Sequence, residues 1–399
     1  MPRWSIFLFW MVVALAGSFS SEAQAIPEFA RKYGRTCASC HTHFVPDLNQ
    51  SGREFKENGY RLGVDEEKAS AERERAGAET PLRMAIPRDL PLSLRIQSSV
   101  GVPWSPRASN RNNVDFNMFE NVYVASGSSL ADRFSYFLSL SVAPSLALHQ
   151  GAIGFQDLFG EDRVNLRAGR ILLFDFLHPA HRSPTGIANP GATLQVGLNP
   201  TRLDDAHFGF DVYGRVDPGR RIFYQMGIVQ GAQDETGSSD LDGNKDFFGL
   251  LQFDLADPYR VGTFGYLGRT QVTDRSRATV VRFTDEFWIA GGSLEGRWGP
   301  LAVFGYGLRG EHENARGLGD DTSYWAVRGE TALPVSRVLA MLLRYDRVES
   351  ETLTELEQET LTTHVGLTPL ENLRLGLEWN STWHDFDQST VSFRFDLAL

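Results

Sequence analysis

The residues best suited to chemistry lie together near the start of the chain, in the segment TCASCHTHF at positions 36–44. Cys37 and Cys40 are the only 2 cysteines among 399 residues, and His41 follows directly. Three chemistries use such a pair. The thiols can close a disulfide in an oxidising compartment, bind zinc or, with an adjacent histidine, attach haem covalently.

The three chemistries differ in what else they need. A structural zinc site takes four ligands, and the chain has no second cysteine pair. A plain disulfide has no use for His41. In covalent haem attachment, both thiols add to the vinyl groups of the haem and the histidine is placed under the iron. The motif Cys37-x-x-Cys40-His41 therefore predicts one covalent haem c with His41 as an axial ligand.

A haem iron also has a sixth position. Met84, in PLRMAIP, is the only methionine between the motif and the long downstream region, and a methionine ligand would raise the redox potential. A methionine that fills a packing gap is an equally good interpretation. His43 is too close in sequence to reach the opposite face easily, and His149 and His364 are remote candidates. We name Met84 as the candidate sixth ligand.

The first 25 residues predict export. One arginine, the apolar run WSIFLFWMVVALAG and an AQA site that ends at Ala25 are typical of a secretory signal peptide. Export suits haem attachment, which follows translocation. The net charge of −11 argues against nucleic-acid binding, which needs a basic surface. We expect the mature chain to begin at Ile26 and to have no nucleic-acid partner.

Residues 26–63 are predicted to form a small helical cytochrome c unit around the motif. FARKYG indicates an amphipathic turn, Ser51-x-x-Glu54 a capping box, and Gly59 the end of a helix. The apolar side chains that would form a wall for the haem, or simply the core of a helical unit, are Phe29, Phe44, Leu48, Phe55 and Tyr60. Residues 64–90 are charged and predict a linker.

From residue 91 to residue 399 the apolar residues alternate with period two. In LRLGLEWN, Leu373, Leu375 and Leu377 share one face, which is typical of a half-buried strand. We count about 16 such strands, and a soluble sandwich would alternate in the same way. The links between the strands distinguish a barrel from a sandwich, because short turns such as DPY and WGP mostly alternate with longer polar loops such as 174–205. An even number of strands with such links predicts a transmembrane antiparallel outer-membrane β-barrel, with both termini in the periplasm.

A barrel of this size leaves a wide lumen. The helical unit directly before the first strand is its expected occupant. If the protein is instead a diffusion porin, Arg215, Arg309, Arg394 and Asp396 are expected to line a water path. His178 and His181, or Asp240 with Asp242 and Asp246, could gather cations, although solvated loops are the simpler interpretation.

The segment FARKYGRTCASCHTHFVPDLNQSGREFKENGYRLG, followed by LPLSLRIQ, resembles fused outer-membrane monohaem cytochrome–porins, which include the outer-membrane iron oxidases of iron-oxidising bacteria. The resemblance is detailed over residues 29–63, in Phe-Ala-Arg, Pro46-x-Leu48, Gly52, Phe55-Lys56 and Gly59-Tyr60. In the barrel it is architectural, and Leu399 departs from the aromatic end usual in such barrels.

The resemblance implies a haem at or inside the barrel that passes electrons across the outer membrane. We expect extracellular Fe²⁺ as the donor, a periplasmic carrier such as a soluble cytochrome as the acceptor, and outer-membrane lipid around the barrel. Outward electron transfer to an extracellular metal, a diffusion porin with a haem-bearing periplasmic appendage, and a soluble periplasmic haem protein remain alternatives.

Overall fold

The computed structural model describes residues 27–33, 35–42, 47–61, 92–104, 114–131, 133–160, 162–178, 184–186, 189–217, 219–231, 242–256, 258–274, 281–370, 372–383 and 388–399. These residues form a closed antiparallel barrel of 16 strands, so the predicted fold class is confirmed for the barrel. The predicted sixth ligand Met84, the wall residue Phe44, and His43 and His181 lie outside the described residues.

The strand bounds follow the alternating segments of the sequence. The strands are β1 (Ser93–Trp104), β2 (Asp115–Ala131), β3 (Phe134–Ala143), β4 (Ala147–Phe155), β5 (Asn165–Leu172), β6 (Ala206–Arg215), β7 (Ile222–Val229), β8 (Asp246–Ala256), β9 (Tyr259–Asp274), β10 (Val281–Trp298), β11 (Leu301–His312), β12 (Thr322–Pro334), β13 (Leu339–Ser350), β14 (Gln358–Leu370), β15 (Leu373–Trp383) and β16 (Gln388–Ala398). Each strand pairs with its neighbours in sequence, and β1 pairs with β16 to close the barrel.

Short helices occupy the segment before β1 and some of the links. They are α1 (Pro27–Tyr33), a 3-10 turn (Cys37–Ser39), α2 (Gln50–Glu57), a 3-10 turn (Asp175–Leu177), α3 (Pro190–Thr193) and a 3-10 turn (Thr354–Leu356). Among the described residues, no helix has the length and apolar character needed to cross a membrane.

The alternating faces of the strands point where the sequence predicts. On β7, the outward side chains Met226 and Ile228 are 55% and 45% exposed, whereas the intervening Gln225 turns inward and is only 7% exposed. Trp298 and Trp325 lie on the outer face near opposite ends of their strands. The apolar outer face matches a lipid environment, whereas the interior buries both polar and apolar side chains.

The two ends of the barrel differ. At one end, called here the short-turn end, each even-numbered strand is joined to the following odd-numbered strand, mostly by a short turn, although the β4–β5 link, residues 156–164, is longer. The chain enters β1 and leaves β16 at this end. Most links at the other end, called here the long-link end, are longer. The backbones of Leu94 and Leu399 exchange two hydrogen bonds of 2.8 and 2.7 Å across the β1–β16 junction.

The described residues of the link between β5 and β6 fold into the lumen. This inward loop, residues 173–178, 184–186 and 189–205, includes α3 and packs Phe174 against Phe264, with ring centroids 4.9 Å apart. The main buried apolar cluster consists of residues of this loop, inward side chains of β5–β13 and a few residues of neighbouring links. The sequence predicted an outer polar loop here. The difference is explained by three apolar side chains, which are only 1%, 2% and 0% exposed: Leu173, Phe174 and Leu177. Folding the loop inward removes their apolar surface from lumen water.

The predicted lumen charges are inward with one exception. Arg215 is buried, and Asp396 lies between Arg95 and Arg374. Arg309 is exposed on the outer face of β11, opposite Trp325, because Leu308 and the other even-numbered residues of this strand point inward. The prediction that Arg309 lines the lumen is therefore wrong.

Candidate functional site inside the barrel

The motif Cys37-x-x-Cys40-His41 forms one tight turn. The N–H groups of Cys40 and His41 both donate to the carbonyl oxygen of Cys37, at 3.0 and 2.8 Å. Cys37 is buried, Cys40 and His41 are half-buried, and the two thiols are not cross-linked to each other. One turn therefore holds two thiols and one imidazole close together.

Asn49 connects this turn to α2. Its Oδ1 accepts from the N–H of Gly52 at 2.9 Å, and its Nδ2 donates to the carbonyl oxygen of Ala38 at 3.1 Å. The prediction of a capping box at Ser51 is therefore wrong, because Asn49 is the N-cap and Ser51 lies inside the helix. Asparagine is among the preferred N-cap residues, so this signal was present two positions earlier. Gly59, with φ of 66°, follows the end of α2 as predicted.

Gly52 is the point of closest approach between α2 and the motif. A Cβ atom at this position would lie 2.0 Å from the carbonyl oxygen of Cys40 and 2.9 Å from its carbonyl carbon. Both are backbone atoms that cannot rotate away. Only glycine allows α2 to lie this close to the turn.

Aromatic side chains hold the two helices together. Phe29 of α1 packs on Phe55 of α2 and on Tyr60, with ring centroids 5.0 and 5.2 Å apart. Tyr33 packs edge-on against Phe55 at 5.6 Å. Phe29, Phe55 and Tyr60 were predicted from the sequence as one apolar wall, and they do lie together, with Tyr33 as an addition.

The small unit formed by the described residues between 27 and 61, called here the head, lies inside the short-turn end of the barrel. Tyr60 stacks on Phe137 of β3 at 4.8 Å. Lys32 donates to the hydroxyl of Ser128 on β2 at 2.8 Å. On the opposite wall, Arg53 pairs with Glu295 of β10 at 2.9 Å. Contacts to widely separated strands fix the head within the lumen.

A buried arginine links the head to the wall most strongly. Arg215, at the end of β6, contacts Glu57 of α2 at 2.8 Å and Asp254 of β8 at 2.7 Å. Asp254 also accepts from Arg260 at 2.5 Å. The side chain of Arg215 is only 4% exposed, so solvent screens these contacts little.

The inward loop also contacts the head. Asp175 accepts from Lys56 of α2 at 2.5 Å, and the nearby cation lowers the pKa of Asp175 against the opposing effect of burial. A cavity of about 130 Å³, open to solvent, lies between α2 and the barrel wall and is lined in part by Leu48, Arg53 and Lys56. Leu48 forms an isolated antiparallel bridge with His41, so this cavity borders the backbone that carries the imidazole.

Glu28 of α1 is a second kind of docking contact. Its side chain accepts from the N–H of Gly127 on β2 at 3.2 Å. Burial raises the pKa of Glu28 from its ordinary 4.5 to about 7, although this hydrogen bond and the nearby Arg31 and Lys32 favour the charged form. The docked head therefore favours the protonated acid.

Docking of α1 is expected to weaken as pH rises from 5 to 8. Between the ordinary pKa and the raised one, docked Glu28 binds more protons than undocked Glu28, so the stabilisation is complete below about pH 4.5 and is lost through pH 7. The loss should reach about 3 kcal/mol. Amide hydrogen exchange of residues 28–33, corrected for intrinsic rates, measures it. Glu28→Gln should remove this pH dependence, and an equally steep loss in that variant would contradict the assignment.

The structure brings together only part of the predicted site. Cys37, Cys40 and His41 share one turn, and two thiols with an adjacent imidazole are the donor set of covalent haem attachment, so the residues present fit that group. His364 instead contacts Glu378, with Nδ1 3.2 Å from Oε2. Asp246 accepts from Tyr266 at 2.6 Å.

Among the described residues, no cluster of three or more His, Cys, Asp or Glu side chains is arranged to hold a metal ion. The docking residues Arg53, Lys56 and Glu57 were not predicted. Charged residues on a short helix carry no sequence signal for a distant partner.

The closed barrel of 16 strands resembles those of outer-membrane porins, and this fold indicates the outer membrane. No family model and no curated protein matches the chain. Among solved structures, the chain is similar to the outer membrane channel DcaP of Acinetobacter baumannii, with a TM-score of 0.56 and 9% identity over 77% of this chain and 96% of that one.

Two further porin-class structures are similar. The in-vitro folded trimer form of the outer membrane protein OmpT of Vibrio cholerae has a TM-score of 0.54 and 9% identity, over 77% of this chain and 98% of that one. The high-pH structure of Pseudomonas putida OprB has a TM-score of 0.52 and 10% identity, over 77% and 94%. At these identities the likeness shows the fold alone.

Proposed function

We propose that this protein is a porin-type barrel that carries one covalent haem c on its head and transfers single electrons across the outer membrane. The proposed donor is extracellular Fe²⁺ at the long-link end. The proposed acceptor is a periplasmic electron carrier, such as a soluble cytochrome, at the short-turn end, where both termini would lie. In this proposal the helical head is a small cytochrome unit, as the resemblance in residues 29–63 implies.

The observation that carries the proposal is the position of the motif. A single redox centre on the surface of a membrane cannot bridge it, because tunnelling falls steeply with distance. The turn with Cys37, Cys40 and His41 belongs to a head that is docked within the lumen by Arg53, Glu57 and Tyr60. A centre held there is surrounded by protein and lies closer to the outer face than a centre beneath the barrel would.

The residues of the chain have separate roles in this function. Cys37 and Cys40 would form the thioether bonds, and His41 would bind the iron from one side. When bound, the haem supplies one-electron chemistry at its iron. Phe29, Phe55 and the rest of the aromatic cluster exclude water from the unit. The sixth ligand, for which Met84 is our candidate, would set much of the potential.

A diffusion porin is the second candidate. The structural comparisons favour it over electron transfer, because they support a channel fold and carry no information on haem. Polar and charged side chains of the lumen, such as Asp396 and Arg95, would then line the solute path. The docked head argues against a wide path, since it lies inside the barrel rather than as an appendage beneath it.

The test is a redox titration of the purified protein in detergent, followed by mixing of the ferric form with Fe²⁺ under anoxia. Electron transfer from iron predicts a haem spectrum, a high potential and growth of the reduced α-band. The double variant Cys37→Ser/Cys40→Ser should fold into the same barrel and show no haem.

Other outcomes decide against the proposal in different ways. A low potential without reduction by Fe²⁺ would contradict iron oxidation and favour outward electron transfer. A wild-type protein without haem that passes small solutes in liposomes would establish the diffusion porin instead.

A further inference from the structure

Two histidines that the proposed function does not use meet inside the barrel. His149 lies on β4, and His178 follows the 3-10 turn of the inward loop. Their ring centroids are 5.3 Å apart and the ring planes are inclined at 60°. The ring of Tyr123, on β2, also lies 5.3 Å from that of His149. The inward loop thus brings together imidazoles that are 29 positions apart in the sequence.

The separation of the rings suits a shared metal ion. An imidazole nitrogen binds a divalent ion at roughly 2.0–2.1 Å, which puts each ring centroid roughly 3 Å from the ion. Two rings on neighbouring positions of a tetrahedral ion then have centroids about 5 Å apart. The observed 5.3 Å agrees with this arrangement. Inclined rings can direct one nitrogen each toward a common point.

The access of the pair also suits a metal. Both side chains are half-buried, so an ion in lumen water can reach them.

Charged groups of both signs lie around the pair. Arg95 is paired with Asp396, and Asp175 is paired with Lys56. Arg170 donates to the carbonyl oxygen of Ala206 at 3.1 Å and lies nearby. A hard cation such as Ca²⁺ or Mg²⁺, which needs several carboxylate oxygens, finds no cage here. Imidazole nitrogens select Fe²⁺, Ni²⁺, Cu²⁺ and Zn²⁺.

We propose that His149 and His178 form a two-imidazole site for one divalent transition-metal ion in the lumen, with water completing its coordination. The site does not require a haem. It also gives the inward loop a chemical link to β4, because an ion held by both rings would join the loop to the wall.

The test is titration of the full-length, detergent-purified protein with Ni²⁺ by calorimetry, together with the EPR spectrum of one added equivalent of Cu²⁺. His149→Phe and His178→Phe keep a ring at each position and remove its nitrogens. Each variant should weaken Ni²⁺ binding at least tenfold and reduce the imidazole hyperfine pattern of Cu²⁺ from two nitrogens to one. His364→Gln, a change at another lumen histidine, should leave both measurements unchanged.

Two outcomes would overturn the site. Wild-type protein that takes up no Ni²⁺ at micromolar concentrations has no such site. Equal binding by wild type and both phenylalanine variants would show that the rings only pack together and that the ion binds elsewhere. The haem absorption spectrum, recorded on the same samples, reports separately on the proposed electron-transfer function.

Discussion

Replacing Gly52 with alanine is expected to separate α2 from the cysteine turn and to reduce covalent haem attachment. The new Cβ atom would lie 2.0 Å from the carbonyl oxygen of Cys40, so the helix must move. Overpacking of this kind costs roughly 1–3 kcal/mol. Amide exchange of residues 50–57 should become about 5 to 150 times faster, since each 1.4 kcal/mol is a factor of ten.

The direction of the change in exchange rate is diagnostic, because helix propensity alone predicts the opposite direction. Alanine in a helix interior is favoured over glycine by about 1 kcal/mol. If the contact with Cys40 did not matter, Gly52→Ala would slow exchange. Ser51→Ala is the matched control, because Ser51 is the adjacent helical residue and is exposed. Slower exchange and full haem attachment in Gly52→Ala would refute the close contact.

Replacing Arg215 with methionine is expected to release the head from the barrel wall. The change leaves Glu57 without its buried cation, whereas Asp254 keeps Arg260. Removing one partner of a buried ion pair costs about 3–5 kcal/mol. Exchange of α2 should accelerate by at least a hundredfold, and the conductance of single barrels in planar bilayers should rise as the lumen empties.

Two further variants separate this effect from general destabilisation. Arg221→Met removes an arginine whose side chain is 69% exposed and 3.5 Å from Asp217, so its effect should stay below about 0.5 kcal/mol. Adding Glu57→Gln to Arg215→Met removes the orphaned charge and should restore part of the protection. Equal conductance of wild type and Arg215→Met would show that the head does not block the lumen.

The barrel was predictable because its signal is local. Period-two alternation places Leu373, Leu375 and Leu377 on one face whatever the rest of the chain does, and the neighbouring strand only has to match it. The count of 16 strands was confirmed for the same reason. Arg309 shows the limit of this reasoning, since a charge near a strand end can lie on either face.

The inward loop and the docking of the head could not be predicted in this way. The apolar residues of 173–177 are too few to show a period, and their partners, such as Phe264, are far away in the sequence. Glu57 and Arg215 are 158 positions apart. The motif around Cys37 was visible because its chemistry depends on spacing within one turn, whereas the site that surrounds it depends on contacts made only in the folded barrel.

The junction of β1 and β16 constrains the order of assembly. β1 and β16 are the first and last strands of the barrel, and they pair with Arg95 facing Ala398. The two strands can therefore pair only after the whole barrel has been synthesised. The head precedes β1 and lies within the enclosed space. A cofactor attached before β1 pairs with β16 would enter the lumen together with the head. Later attachment would have to take place inside the closed barrel. Under the proposed function, haem attachment is therefore expected after export of the chain and before β1 pairs with β16.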